Sequence, residues 1–74
     1  MRLPVVTAKD FCAFLEKEGF VMVRQKGSHK FYKNEDGRMT TVPVHPGKDL
    51  GRGLVKEILN QIGMSREEFF RKWK

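Results

Sequence analysis

Apolar side chains recur along this chain in two different periods, and the switches between periods mark out its elements. Ala8, Phe11, Cys12, Phe14 and Leu15 fall at helical spacing behind Thr7 and Asp10, a capping-box pattern, so a first helix is predicted over about residues 8–18. Gly19 is placed to take the left-handed position that ends it, with Phe20 folding back on the last turn. Phe20 to Gln25 is rich in β-branched and aromatic residues and reads as a strand. Lys26-Gly27 makes a tight turn into a second strand, Ser28 to Asn34, whose side chains alternate between two faces. Glu35-Asp36-Gly37 closes a hairpin, since Asp-Gly accepts the positive φ that such turns require. Met39 to Val44 is the third strand, with Pro43 confined to its end or to an edge because proline donates no ladder hydrogen bond.

His45 to Asp49 is predicted to be a loop. After it Leu54, Val55, Ile58, Leu59 and Ile62 form the apolar stripe of a second helix that stops at Gly63. Ser65 with Glu68 repeats the capping pattern and opens a short last helix, in which Phe69, Phe70 and Trp73 read as packing residues. The predicted order is αβββα plus a terminal helix. That is a two-layer α+β fold with both main helices on one face of a three-stranded antiparallel sheet, the arrangement of double-stranded-RNA-binding domains. Seventy-four residues have room for one domain, 1–74, and a modest one without a deep cavity.

The charge sharpens the functional expectation. Of the formal +6, a net +5 lies between Arg24 and Lys56, where eight basic residues meet three acids. Such a surface suits a polyanion, nucleic acid ahead of anionic lipid, although a charge excess also serves solubility. No apolar stretch approaches a signal or membrane segment, and the single Cys12 fits a reducing, cytoplasmic setting and a small core position.

Candidate chemistry concentrates at Gly27-Ser28-His29-Lys30. Histidine changes charge near neutral pH, so His29 can move a proton while neighbouring lysines hold a phosphate. RNA needs little more, because its 2′-hydroxyl is an internal nucleophile and no metal is required to supply one. By residue chemistry alone His29 is more often a phosphate-contacting or surface histidine than a catalytic one. Ser28 is no hydrolase partner for it, since adjacent strand residues point to opposite faces. His45, between Val44 and Pro46, reads as structural or RNA-contacting. Cys12, His29 and His45 fall on separate elements without metal-ligand spacing, so neither a metal site nor a cofactor is expected. Lys48 to Gly53 brings Lys48, Arg52 and glycines to the opening of the second helix, where a backbone phosphate fits, although the same residues serve equally as a flexible helix entry. Lys26, Gly27, Ser28, Lys30, Lys48 and Arg52 are the expected RNA-binding residues.

In Leu3-Pro4, Gly19-Phe20, Arg24-x-x-Gly27-Ser28-His29, Val42-Pro43-Val44-His45 and Gly53-Leu54 leading to Ile58-Leu59 and Gly63, the chain resembles the HicA-type mRNA interferase toxins of bacterial and archaeal toxin–antitoxin pairs. Their order and spacing span nearly the whole chain. The resemblance implies the double-stranded-RNA-binding-domain-like fold and endoribonuclease activity against messenger RNA, for which the internal 2′-hydroxyl nucleophile leads us to expect a metal-independent mechanism. It also implies growth arrest and neutralisation by a HicB-type antitoxin that covers the site. The family's catalytic histidine follows Gly-Ser or Gly-Thr at the start of the second strand, which implies His29. Two other classes stay open: a noncatalytic RNA-binding module of the same fold, and a small basic protein that docks to another protein.

Overall fold

The computed structural model describes residues 2–73, so the two end residues of the expected 1–74 domain lie outside the described residues. The chain runs β1 (Val6–Thr7), α1 (Ala8–Lys17), β2 (Val21–Lys26), β3 (His29–Lys33), β4 (Met39–Pro43), β5 (Asp49–Leu50), α2 (Arg52–Ile62) and α3 (Arg66–Lys72). β2, β3 and β4 form an antiparallel sheet with β3 in the centre. Both main helices cover one face of it, which is the expected α+β fold.

Local chemistry sets the element ends. Thr7 Oγ1 accepts the Asp10 amide at 3.0 Å and Ser65 Oγ accepts the Glu68 amide at 3.0 Å, so α1 and α3 each have one of their free N–H groups satisfied. Gly19 is left-handed, and the Phe20 amide returns to the Leu15 carbonyl at 2.9 Å while its ring is buried. Gly63 ends α2 at φ +71, and Arg38 Nη1 donates to the carbonyl of Ile62 at 2.6 Å. The β3–β4 hairpin closes through the Asn34 amide on the Arg38 carbonyl (3.1 Å), with Gly37 at positive φ as its Asp-Gly pair requires. Pro43 is the last residue of edge strand β4, where a missing N–H is tolerated.

The structure corrects the predicted loop at His45 to Asp49 in one place. Asp49 and Leu50 pair antiparallel with Thr7 and Val6 in a two-stranded ribbon. Each of these strands is two residues long, too short for a period to register, and its partner is more than forty positions away. The ribbon buries Val6 and Leu50 and ties the entry of α2 to the entry of α1, so that entry is not a free loop.

Packing follows the two stripes. Ala8, Phe11, Cys12, Phe14 and Leu15 of α1 and Val55, Ile58, Leu59 and Ile62 of α2 are all buried, against Tyr32 and Val42 of the sheet. α3 closes the far side: Phe69 is fully buried, and Phe69 and Trp73 pack on Phe11 and Phe14 with centroids 5.3–6.2 Å apart. Lys72 bridges Glu18 at 2.8 Å and Glu68 at 3.3 Å, holding α3 to the end of α1. Among the described residues no helix is long and apolar enough to cross a membrane.

The polar groups caught in these layers are paired. Thr40 Oγ1 donates to Gln61 Oε1 at 2.5 Å, and the Tyr32 hydroxyl donates to Glu16 Oε2 at 3.3 Å. Burial, and after it the neighbouring Cys12 and Glu16, push the Tyr32 phenol well above its ordinary range.

Two outcomes test this packing. Phe69→Ala should cost about 3–5 kcal/mol, lowering the thermal midpoint enough to make a small domain marginal, as read by circular dichroism. Tyr32 is the sole tyrosine, so tyrosinate absorbance reports it directly. A phenol raised on folding is stabilising below its unfolded value of about 10, and that contribution is lost as pH rises above it. Wild-type stability should therefore fall above about pH 10 more steeply than that of Tyr32→Phe, with tyrosinate appearing only as the protein unfolds.

Candidate active site

β3 is the strand on which the candidate chemistry rests. Tyr32 faces the helices and is buried, so by alternation Lys30 lies on the same covered side and His29, Phe31 and Lys33 on the bare side. Pairing then builds rows across the bare face: Lys26–His29–Pro43, Arg24–Phe31–Thr41 and Val21–Lys33–Met39. Arg24 lies with its guanidinium carbon 4.8 Å from the Phe31 ring centroid, a cation–π contact. Val21 and Met39 stay 63% and 55% exposed, with Val23 at 55%, so this face carries uncovered apolar surface beside its cations.

His29 is exposed at the first position of β3, directly opposite Lys26. Two loop residues, Gly27 and Ser28, separate them. Positive φ is confined to Gly27, at +59, which is the pattern of a type II′ hairpin turn with glycine at its first position. The sequence reading placed this turn one residue earlier. The Val44 amide donates to the Ser28 carbonyl at 2.6 Å, so the segment leaving β4 starts beside His29.

From there a basic rim continues. Lys30 shares a cleft with Lys9, Cys12, Ala13, Glu16 and Val44. Lys9 and Val44 also line the next cleft, with Lys48 and His45, whose carbonyl accepts the Lys48 amide at 3.1 Å. The hairpin residues Lys26 to His29 thus connect through Val44 to Lys30 and Lys48, although Lys30 lies on the covered side of the sheet and His29 on the bare side. Arg52 stands apart. Its Nε donates to the Leu3 carbonyl at 2.7 Å, and it lines a different cleft, with Arg2, Gly53, Lys56 and Arg66.

Sequence reading missed the partnership of Arg24 with Phe31. Val23 is an extra residue in β2, a bulge between Met22 and Arg24, and it breaks the count that would otherwise assign faces along that strand. The alternation of His29, Phe31 and Lys33 in β3 was the signal available. Cys12 is buried in the core, as expected, and no three His, Cys, Asp or Glu side chains among the described residues gather where they could hold a metal ion.

Gly27 makes a local prediction possible. An added Cβ meets nothing within 4 Å, so Gly27→Ala should cost only the positive-φ penalty of about 1–2 kcal/mol, and Gly27→Asn less, measured by chemical denaturation.

Residues 8–64 match the family model of the HicA toxin of bacterial toxin–antitoxin systems. A protein of Pseudomonas fluorescens (strain Pf0-1) named probable mRNA interferase HicA is 36% identical over 55 residues, spanning 74% of this chain and 90% of the relative. The matched span runs from the start of α1 to just past the end of α2 and includes the His29 hairpin and both helices that cover the sheet, so this chain belongs to the HicA toxin family.

Proposed function

We propose that this chain is a cytoplasmic, metal-independent endoribonuclease that cleaves messenger RNA, acting over residues 1–74 as one HicA-like domain with His29 as its catalytic residue. The observation that carries the reading is the exposed His29 at the head of the central strand, opposite Lys26 and beside a basic rim, in a chain related to a protein named as an mRNA interferase. Lys26, Gly27, Ser28, Lys30 and Lys48 hold the RNA around the cut, the glycine through its exposed backbone and the lysines through phosphate. Arg52 binds RNA from its own cleft. A HicB-type antitoxin neutralises the toxin by covering this rim, where acidic groups replace RNA phosphates, so RNA and antitoxin compete.

The chemistry follows from RNA itself. The 2′-oxygen attacks the adjacent phosphorus, its proton leaves, and the bond to the 5′-oxygen of the next nucleotide breaks as that oxygen gains a proton. A 2′,3′-cyclic phosphate remains. An imidazole within reach of either oxygen supplies one of these transfers, and a lysine ammonium offsets the charge that builds on the phosphorane. Because the substrate brings its own nucleophile, no metal-bound hydroxide has to be generated.

His29→Ala should lower the cleavage rate by roughly 10²- to 10⁴-fold and relieve growth inhibition, while the circular dichroism spectrum and RNA affinity hold. Wild-type cleavage should persist in excess EDTA, and DNA of the same sequence should resist. Full activity in His29→Ala would refute this mechanism and leave His29 as a surface histidine that contacts phosphate. Chelator-sensitive cutting of DNA would replace the mechanism with that of a metal nuclease.

A further inference from the structure

The cleft that holds Arg52 shares no described lining residue with the clefts of the His29 rim. It has a volume of about 440 Å³ and, among the described residues, is lined by Arg2, Leu3, Arg52, Gly53, Lys56 and Arg66: four cations, one apolar residue, one glycine and no acid. We propose that this cleft is a second RNA site, an anchor that takes backbone phosphates of the same strand that is cut at His29; the proposal rests on the ribonuclease reading for its substrate.

Charge sorting is the first support. Outside Arg24–Lys56 the sequence is nearly balanced, at net +1, yet the fold gathers Arg2 and Arg66 with Arg52 and Lys56. Glu18 and Glu68 are taken up by Lys72 at the other end of α3. Four cationic side chains lining one cleft focus a positive field between low-dielectric walls, which raises the local concentration of a polyanion.

Preorganisation is the second. Arg52 is held by its Nε bond to the Leu3 carbonyl, and that bond uses one of five guanidinium donors. Lys56 stands one turn along the same helix face. Arg2 precedes the β1–β5 ribbon, and Arg66 opens α3, which the Phe11, Phe14, Phe69 and Trp73 rings fix in place. Guanidinium forks fit phosphate oxygens in pairs, which favours a phosphodiester backbone over a scattered set of carboxylates.

Two of the four cations, Arg2 and Arg66, come from outside the span 8–64 that matches the family, so this chain's own flanks complete the cleft. A strand that reaches both this cleft and the His29 rim is held twice, and the second contact becomes intramolecular. The anchor therefore raises affinity for long RNA without touching the reacting atoms.

The test measures binding of a long 2′-O-methyl RNA, which cannot be cleaved, to the full chain across a salt series. Failure of the His29 mechanism leaves this readout intact. Arg2→Gln/Arg66→Gln should bind more weakly and flatten the log–log salt slope by about 1.4, two contacts at roughly 0.7 each for a single strand. Arg2→Lys/Arg66→Lys, which keeps the charges, should retain most of the slope, and Lys56→Gln, on the exposed side of α2, gives an independent reading of about 0.7. On cleavable RNA the double glutamine variant should raise KM and leave kcat alone. An unchanged slope in both glutamine variants would overturn the anchor. So would RNA binding as in wild type with loss of affinity for an acidic antitoxin, which would make the cleft a protein-docking surface.

Discussion

The central strand β3 must serve both faces of a sheet of which only one is covered. Its inner side chains are held by burial: Tyr32 sits beneath α1 with its hydroxyl on Glu16. Its outer side chains, His29, Phe31 and Lys33, are left to solvent by the same alternation. A slip of one residue would bury a histidine and a lysine and expose the tyrosine, so the register that builds the core also presents the chemistry. The Gly27–Ser28 turn at one end of β3 and the Asn34–Arg38 closure at the other hold that register.

What surrounds β3 divides the remaining work. α1 and α2 supply the cover through two apolar stripes, and α3 adds an aromatic clasp over α1 outside the family-matched span. The β1–β5 ribbon joins the starts of both main helices, which brings the N-terminal segment against Arg52. Cations consequently collect in two places, a rim that starts at the His29 hairpin and a cleft at the entry of α2, while acids such as Glu18 and Glu68 are occupied with Lys72.

Long elements were legible because their period is strong and repeated: each apolar residue assigned to the stripe of α1 is buried, and Val55, Ile58, Leu59 and Ile62 form the buried edge of α2. Capping by Thr7 and Ser65 was legible because the interacting groups are three residues apart. The ribbon was not, since a two-residue strand has no period and its pairing is wholly nonlocal. The bulge at Val23 likewise leaves no local mark, and with it the Arg24–Phe31 contact was hidden. At the candidate site His29 could be named from a short local motif, but the separation of Arg52 from the hairpin and the arrival of Arg2 and Arg66 beside it depend on tertiary packing that residue spacing does not encode.

The most direct measurement of where RNA lies is an amide chemical-shift titration of the protein with a short, noncleavable 2′-O-methyl RNA. Shifts concentrated at Lys26 to Lys30 and at Val44 to Lys48 are expected, with Asp10, Lys17 and Trp73 in the groove between α1 and α3 nearly unmoved. Shifts confined to that groove, with the His29 hairpin silent, would contradict a ribonuclease site at the head of β3.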